Sequence, residues 1–293
     1  MINAAGILRE TGRQTFESIH DLAPVALFAA CATAGVRRVI QISALGADDS
    51  ARSGYHLSKR RADEFLAKLP LEWTIVQPSI VYGRGGTSAR LFTALATLPL
   101  IPLPGRGDQR LQPLHVDDLV DGILGLLRSE TAWRSRIPFV GPDALTLADF
   151  LARLRVAMAL PPARFIRIPF GLVRLAARLG RRLRGSLLDS ETLDMLVRGN
   201  TGDAAPLRRL LDRPLREASQ FATTTDVALG QRQWLLPLLR WSIALVWIVT
   251  GIVSLGLYPK ESSYALLARV GAPESWFPLL LYGAACMDLA FGV

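Results

Sequence analysis

"VRRVIQIS" at residues 36–43, "SGYHLSKRRADEFL" at 53–66 and "LEWTIVQP" at 71–78 together decide the fold class. The first is a β-branched run bounded by turn residues, the pattern of a strand buried on both faces of a parallel sheet. The second lies in a segment that reads as a helix over residues 55–69. The third reads as another strand, Trp73 to Gln77, broken by Pro78. Ahead of them, "DLAPVALFAACATAG" from Asp21 to Gly35 reads as a buried helix ending at a glycine cap. Helix and strand alternating at this pace predict an α/β fold with a parallel sheet.

The helix carries an unusual pair. Of 34 basic residues only three are lysines, and Lys59 falls four positions after Tyr55. Residues four apart share a helix face, so the phenol and the ammonium stand side by side. A nearby ammonium favours phenolate, which would bring a tyrosine toward useful proton transfer at neutral pH. Ser43 ends the preceding strand, and the carboxyl ends of parallel strands open onto one crevice. The three residues suit proton exchange with a substrate hydroxyl or carbonyl, with Lys59 tuning Tyr55 and Ser43 orienting the oxygen.

Several further motifs accompany the three residues in order: "NAAG" at 3–6, "QPSIVYGRG" at 77–85 and "LQPLHVDDLV" at 111–120. In this the chain resembles the short-chain dehydrogenase/reductases, in particular their extended and atypical NAD(P)-dependent epimerase-like branch, over roughly residues 1–220. The resemblance implies a Rossmann-like doubly wound sheet and catalytic Ser43, Tyr55 and Lys59. It further implies a cofactor, NAD or NADP, touched by Lys59 and by Pro78, Ser79, Ile80 and Val81. The family opens with a strand and a glycine-rich turn whose amides bind the pyrophosphate. This sequence starts at "NAAG", near the family's fourth strand, and reads as a fragment without those first strands.

The composition is 50% hydrophobic and 20% charged, with a mean hydropathy of +0.28. The excess is local: Trp241 to Tyr258 is 18 residues without a charge, long enough to approach a membrane span. A second apolar run from Trp276 contains Asp288 and stops too soon to be expected as a complete span. "LLPLLRWSIALVWIVTGIVSLGLYP" and "LLARVGAPESWFPLLLYGAACMDLAFGV" resemble half of a DoxX-like four-helix membrane domain. The expected division is a short-chain dehydrogenase-like domain with its helical substrate part over 1–221, a linker over 222–233, and a DoxX-like membrane part over 234–293. Arg232 and Arg240 before the span predict an inner (cytoplasmic) membrane protein with its N-terminal domain in the cytoplasm.

Net charge is +9, concentrated in "RFIRIPFGLVRLAARLGRRLRG" at 164–185. Without a zinc-finger, RNP or helix-turn-helix signature, the segment suits an anionic lipid surface or a solvated helix, not nucleic acid. Cys31 and Cys286 form no cluster, and His20, His56 and His115 are scattered, so neither disulfide nor metal is expected. His115 reads as a packing or loop-anchoring residue, and Asp117 and Asp118 as helix caps. The expected partners are a small hydroxyl or carbonyl substrate and a lipid bilayer. The alternative to an oxidoreductase or epimerase is a non-catalytic subunit or assembly factor of a respiratory-type membrane complex.

Overall fold

In β2 (Arg38–Ile42), consecutive residues leave the sheet on opposite faces, and each face has its own core. Val39 joins Phe28 and Cys31 of α1 (Ala23–Thr33) and Ala62 and Leu66 of α2 (Gly54–Ala67). Ile40 joins Leu126 of α4 (Val116–Arg128) with Phe139 and Leu207 on the other side. Strand β3 (Glu72–Pro78) repeats the division with Ile75 and Val76. Helices thus cover both faces of a sheet ordered β1 (Ile2–Asn3), β2, β3, β8 (Ser135–Phe139), parallel throughout. The computed structural model describes residues 1–180 and 195–292. Met1–Gly230 and Gln231–Val293 are two compact units.

A third core lies beside the sheet. Strands β4 (Val81–Tyr82) and β7 (Leu114–His115) pair in parallel. Helices α3 (Thr87–Thr97) and α5 (Leu147–Ala157) pack Phe92 against Phe150, with ring centroids 5.1 Å apart. Between β4 and α3 lies the glycine-bearing turn of Gly83, Gly85 and Gly86. Gly141 is required by close approach: a Cβ there would lie 2.0 Å from the Pro113 carbonyl oxygen.

Several expectations change in three dimensions. Pro78 does not break its strand; as the last residue of β3 it pairs with Phe139 where its missing N–H costs no ladder bond, and its carbonyl accepts from Leu45 N–H at 2.9 Å. The basic stretch at 164–185 is not one helix. Phe165–Ile168 forms β10, parallel to β5 (Ile101–Pro104), and α6 (Phe170–Gly180) follows. Residues 181–194, including Arg181, Arg182 and Arg184, lie outside the described residues. The helical part expected up to residue 221 is limited, after Gly199 at φ +83°, to short turns such as Ala205–Arg208. Asp118 is more than a cap: fully buried, it accepts from Arg216 Nη1 at 2.6 Å and pairs with Arg213 at 2.7 Å. The cap of α4 is His115, whose Nδ1 accepts from Asp117 N–H at 3.2 Å.

Residues 222–233 are not a free linker. Ala222 and Asp226 are buried, and Asp226 starts a helix running to Ile252. Its carboxylate accepts from Thr223 N–H at 2.9 Å, closing the turn that feeds the helix. Beyond it come the helices Lys260–Arg269 and Phe277–Gly292. Asp226–Leu257 and Glu274–Gly292 are both long and apolar enough to cross a membrane, and only 6% and 17% of their apolar windows are buried, unlike soluble core helices. The second run, expected to be too short, reaches this length because the turn at Glu274–Trp276 leads directly into the helix. Gly251 lets two helices touch: a Cβ there would lie 3.0 Å from the Ala285 carbonyl oxygen.

Candidate active site

The α2 helix begins where Ser53 Oγ accepts from His56 N–H at 3.3 Å. From that capped end, Tyr55, Lys59 and Asp63 follow at four-residue intervals along one face. Lys59 is 4% exposed; its ammonium donates to the Ile42 carbonyl at 3.0 Å and lies 5.9 Å from the Tyr55 ring centroid. Burial pulls Lys59 down to about 8, against the opposing pull of Asp63. Gly6, in the "NAAG" stretch, faces this ammonium so closely that a Cβ would lie 3.3 Å from Lys59 Nζ.

Ser43 follows β2 and is tied there by its N–H, which donates to Val76 O at 2.8 Å. Its hydroxyl donates to Asp63 Oδ2. Asp63 is fully buried, Oδ1 makes no hydrogen bond, and burial pushes the carboxyl up to about 7, against Ser43, Arg136 and Lys59, which favour its charge. Tyr55 keeps partial solvent contact, but its surroundings push the phenol up to about 12, first by burial and then by the Asp63 charge. The lowering of the Tyr55 pKa by Lys59, expected from sequence, is therefore outweighed by desolvation.

Sequence reasoning missed Asp63 and His20. Asp63 had a signal, the continuation of the Tyr55–Lys59 stripe by one more turn. His20 had none, since its partners are distant in sequence. Its Nε2 accepts from Ile7 N–H at 2.9 Å, so the ring proton sits on Nδ1 and is donated to Ser58 Oγ at 3.1 Å. Ser58 in turn donates to the Tyr55 carbonyl at 2.9 Å. The imidazole stacks on Phe16 at 5.4 Å and meets the Tyr55 ring edge-on at 5.3 Å. Burial, helped by the Lys59 charge, holds His20 down to about 4, hence neutral. It pins the segment after Gly6 to α2.

Ser43, Tyr55, Lys59 and Gly6 line a cleft of about 710 Å³ together with Pro78, Ser79, Ile80 and Val81, while Asp63 and His20 stand behind its wall. Ser79 Oγ donates to Gln112 O at 2.5 Å, and the Ser79 and Ile80 amides donate to Phe139 O and Asn200 Oδ1 at 2.9 and 3.0 Å. With these donors engaged, the segment offers the cleft a shaped wall more than new hydrogen bonds. Buried Lys59 beside the close Gly6 backbone, with that wall opposite, fits the nicotinamide–ribose portion of a dinucleotide.

Residues 5–97 match the NAD(P)H-binding family. Over this part the fold is similar to that of NAD(P)H-binding proteins. Residues 244–293 match the DoxX-like family, which with the two apolar helices points to membrane association. Among relatives, NADH dehydrogenase [ubiquinone] 1 alpha subcomplex subunit 9, mitochondrial, of Arabidopsis thaliana is 28% identical over 60% of this chain and 44% of its own. The ceramide reductase of Caulobacter vibrioides is 25% identical over 57% of this chain and 52% of its own. The chain thus spans about half the length of these relatives. A nucleoside-diphosphate-sugar epimerase from Staphylococcus aureus superposes with TM-score 0.60 at 14% identity, covering 75% of this chain and 74% of that one. UDP-glucuronic acid 4-epimerase from Bacillus cereus, solved with UDP-glucuronic acid and NAD, gives 0.54 at 15%, covering 79% and 74%. At these identities the likeness is one of fold.

Proposed function

We propose that the chain is a membrane-attached NAD(P)-dependent oxidoreductase or epimerase acting on a hydroxyl or carbonyl group through Ser43, Tyr55 and Lys59. The observation that carries this reading is the convergence of those three side chains, from one strand end and one helix face, on a single cleft. Lys59, with Tyr55 and the wall from Pro78 to Val81, would hold the nicotinamide–ribose end of NAD or NADP. A bound nicotinamide supplies hydride transfer. Tyr55, neutral at physiological pH, gives a proton to a carbonyl oxygen or accepts one back through the reverse step, and Ser43 sets the position of that oxygen. Lys59 keeps positive charge beside the phenol, limiting the cost of the phenolate formed when the proton leaves. The NAD(P)H-binding match and a relative named as a reductase support this reading.

For location, the reading adds an inner (cytoplasmic) membrane with residues 1–230 on the cytoplasmic side, supported by Arg232 and Arg240 in the N-terminal half of the first apolar helix, ahead of its charge-free run. A second function, a non-catalytic subunit or assembly factor of a respiratory-type complex, has separate support in relatives named as NADH dehydrogenase subunits. Tyr55→Phe separates the two. It should cut carbonyl reduction by about 100-fold or more while coenzyme affinity, followed by nicotinamide fluorescence, stays within about twofold; Lys59→Met should weaken both. Undiminished turnover in the phenylalanine variant overturns the catalytic reading and leaves the subunit reading in place.

A further inference from the structure

The far wall of the cleft, away from Tyr55 and Lys59, is hydrocarbon. Leu91 and Leu95 of α3, Leu103 of β5, Ile168 of β10, Val173 of α6 and Leu196 line it. At the mouth this wall reaches the surface: Leu172 of α6 lines the cleft and is 57% exposed. Its neighbour Leu175 and Phe165 and Ile166 of β10 are exposed too. Exposed Arg164, Arg167 and Arg174 alternate with these apolar residues. An apolar rim studded with arginines belongs beside anionic headgroups, and the same chain carries two helices long and apolar enough to span a bilayer.

From this we infer that the cleft takes a membrane lipid, its hydroxyl or carbonyl lying by Tyr55 and Lys59 and its alkyl chain running along α3 and α6 toward the mouth. The inference rests on the proposed oxidoreductase reading and names its substrate class. Each methylene laid on Leu91, Leu95, Leu103, Ile168, Val173 and Leu196 leaves water, whereas a nucleotide-sugar diphosphate lying on those six side chains would lose its hydration with none of them to donate; the polar lining residues include Arg9, Thr87 and Ser88. Arg84, which also lines the cleft, is held by Asp226 at 3.4 Å and by Thr225 at 2.9 Å. A sugar nucleotide would have to break that arrangement to recruit its charge.

Photolabelling of the full chain in nanodiscs tests this, with a hexadecanol bearing a diazirine in its chain as the probe and labelled peptides mapped by mass spectrometry. Label is expected in α3 and α6 as well as in the Asp226–Leu257 helix, which serves as an internal control. Val173→Glu, a change on the partly exposed face of α6, should reduce α3 labelling by about tenfold or more and leave the control helix unchanged, because it places a charge on the hydrocarbon wall. Labelling confined to the two apolar helices, or α3 labelling lost on adding UDP-glucuronic acid, overturns the inference. The lipid reading and the catalytic reading fail separately: labelling needs no turnover, and the Tyr55→Phe comparison needs no lipid probe.

Discussion

Ser43 donates its hydroxyl hydrogen to Asp63, so the serine ending β2 is bound to the last member of the face that Tyr55 and Lys59 begin. The direction of that bond depends on the carboxyl. Ionised, Asp63 takes the serine hydrogen and leaves Ser43 only lone pairs to offer a substrate. Protonated, it can donate to Ser43 and turn the serine hydrogen toward a carbonyl oxygen.

With Asp63 held up to about 7 by burial, carbonyl reduction should fall as pH rises through about 7. Asp63→Asn supplies an amide donor at every pH and should flatten that fall in kcat/KM. An identical slope in both proteins would count against the switch. Stability carries the same signature. The folded carboxyl binds its proton more tightly than the unfolded one, so its stabilising effect is complete below the unfolded pKa near 3.8 and is lost as pH rises toward 7. The Tm difference between Asp63→Asn and the wild type should therefore move in the variant's favour over that window.

His20 has the opposite sign. Its folded pKa, about 4, lies below the ordinary imidazole value of 6.5, so its contribution is complete above 6.5 and is lost as pH falls through 4. The loss should be on the order of 3 kcal/mol. His20→Gln should have a lower Tm at pH 7, through the broken Ile7 and Ser58 bonds, and a shallower decline toward pH 4. Parallel melting curves across that range would show that His20 is not the acid-sensitive group.

Asp118→Ala should destabilise the N-terminal unit by about 3–5 kcal/mol, because Arg213 and Arg216 lose a fully buried carboxylate partner. Thermal or urea unfolding measures this directly. Coenzyme affinity per folded molecule should not change, since Asp118 does not line the cleft.

The full chain should resist carbonate extraction, and residues 1–230 should be digested by protease added to inverted inner-membrane vesicles. Gly251→Leu should loosen the C-terminal helices, whose contact leaves no room for a side chain there, and lower their protease resistance in detergent. Release of the intact chain by carbonate would contradict the membrane assignment. Protection of the N-terminal unit in inverted vesicles would reverse the orientation.

The sequence alone determined those features that depend on local pattern. Runs rich in β-branched residues at Val36–Ser43 and Trp73–Val76 mark strands covered on both sides, and the i, i+4 spacing of Tyr55 and Lys59 survives in any helix. A charge-free run marks an apolar helix for the same reason. Tertiary structure decided what those groups do to one another. Desolvation, not visible in spacing, raises Tyr55 where its lysine neighbour alone would lower it. Strand β10 forms within an arginine-rich stretch because β5 offers it a partner edge, and the supposed linker becomes helix because Asp226 is buried and capped onto Thr223. His20 reaches Ser58 only once α2 has packed beside it, 38 positions away in the chain, and no local preference encodes a contact made across that separation.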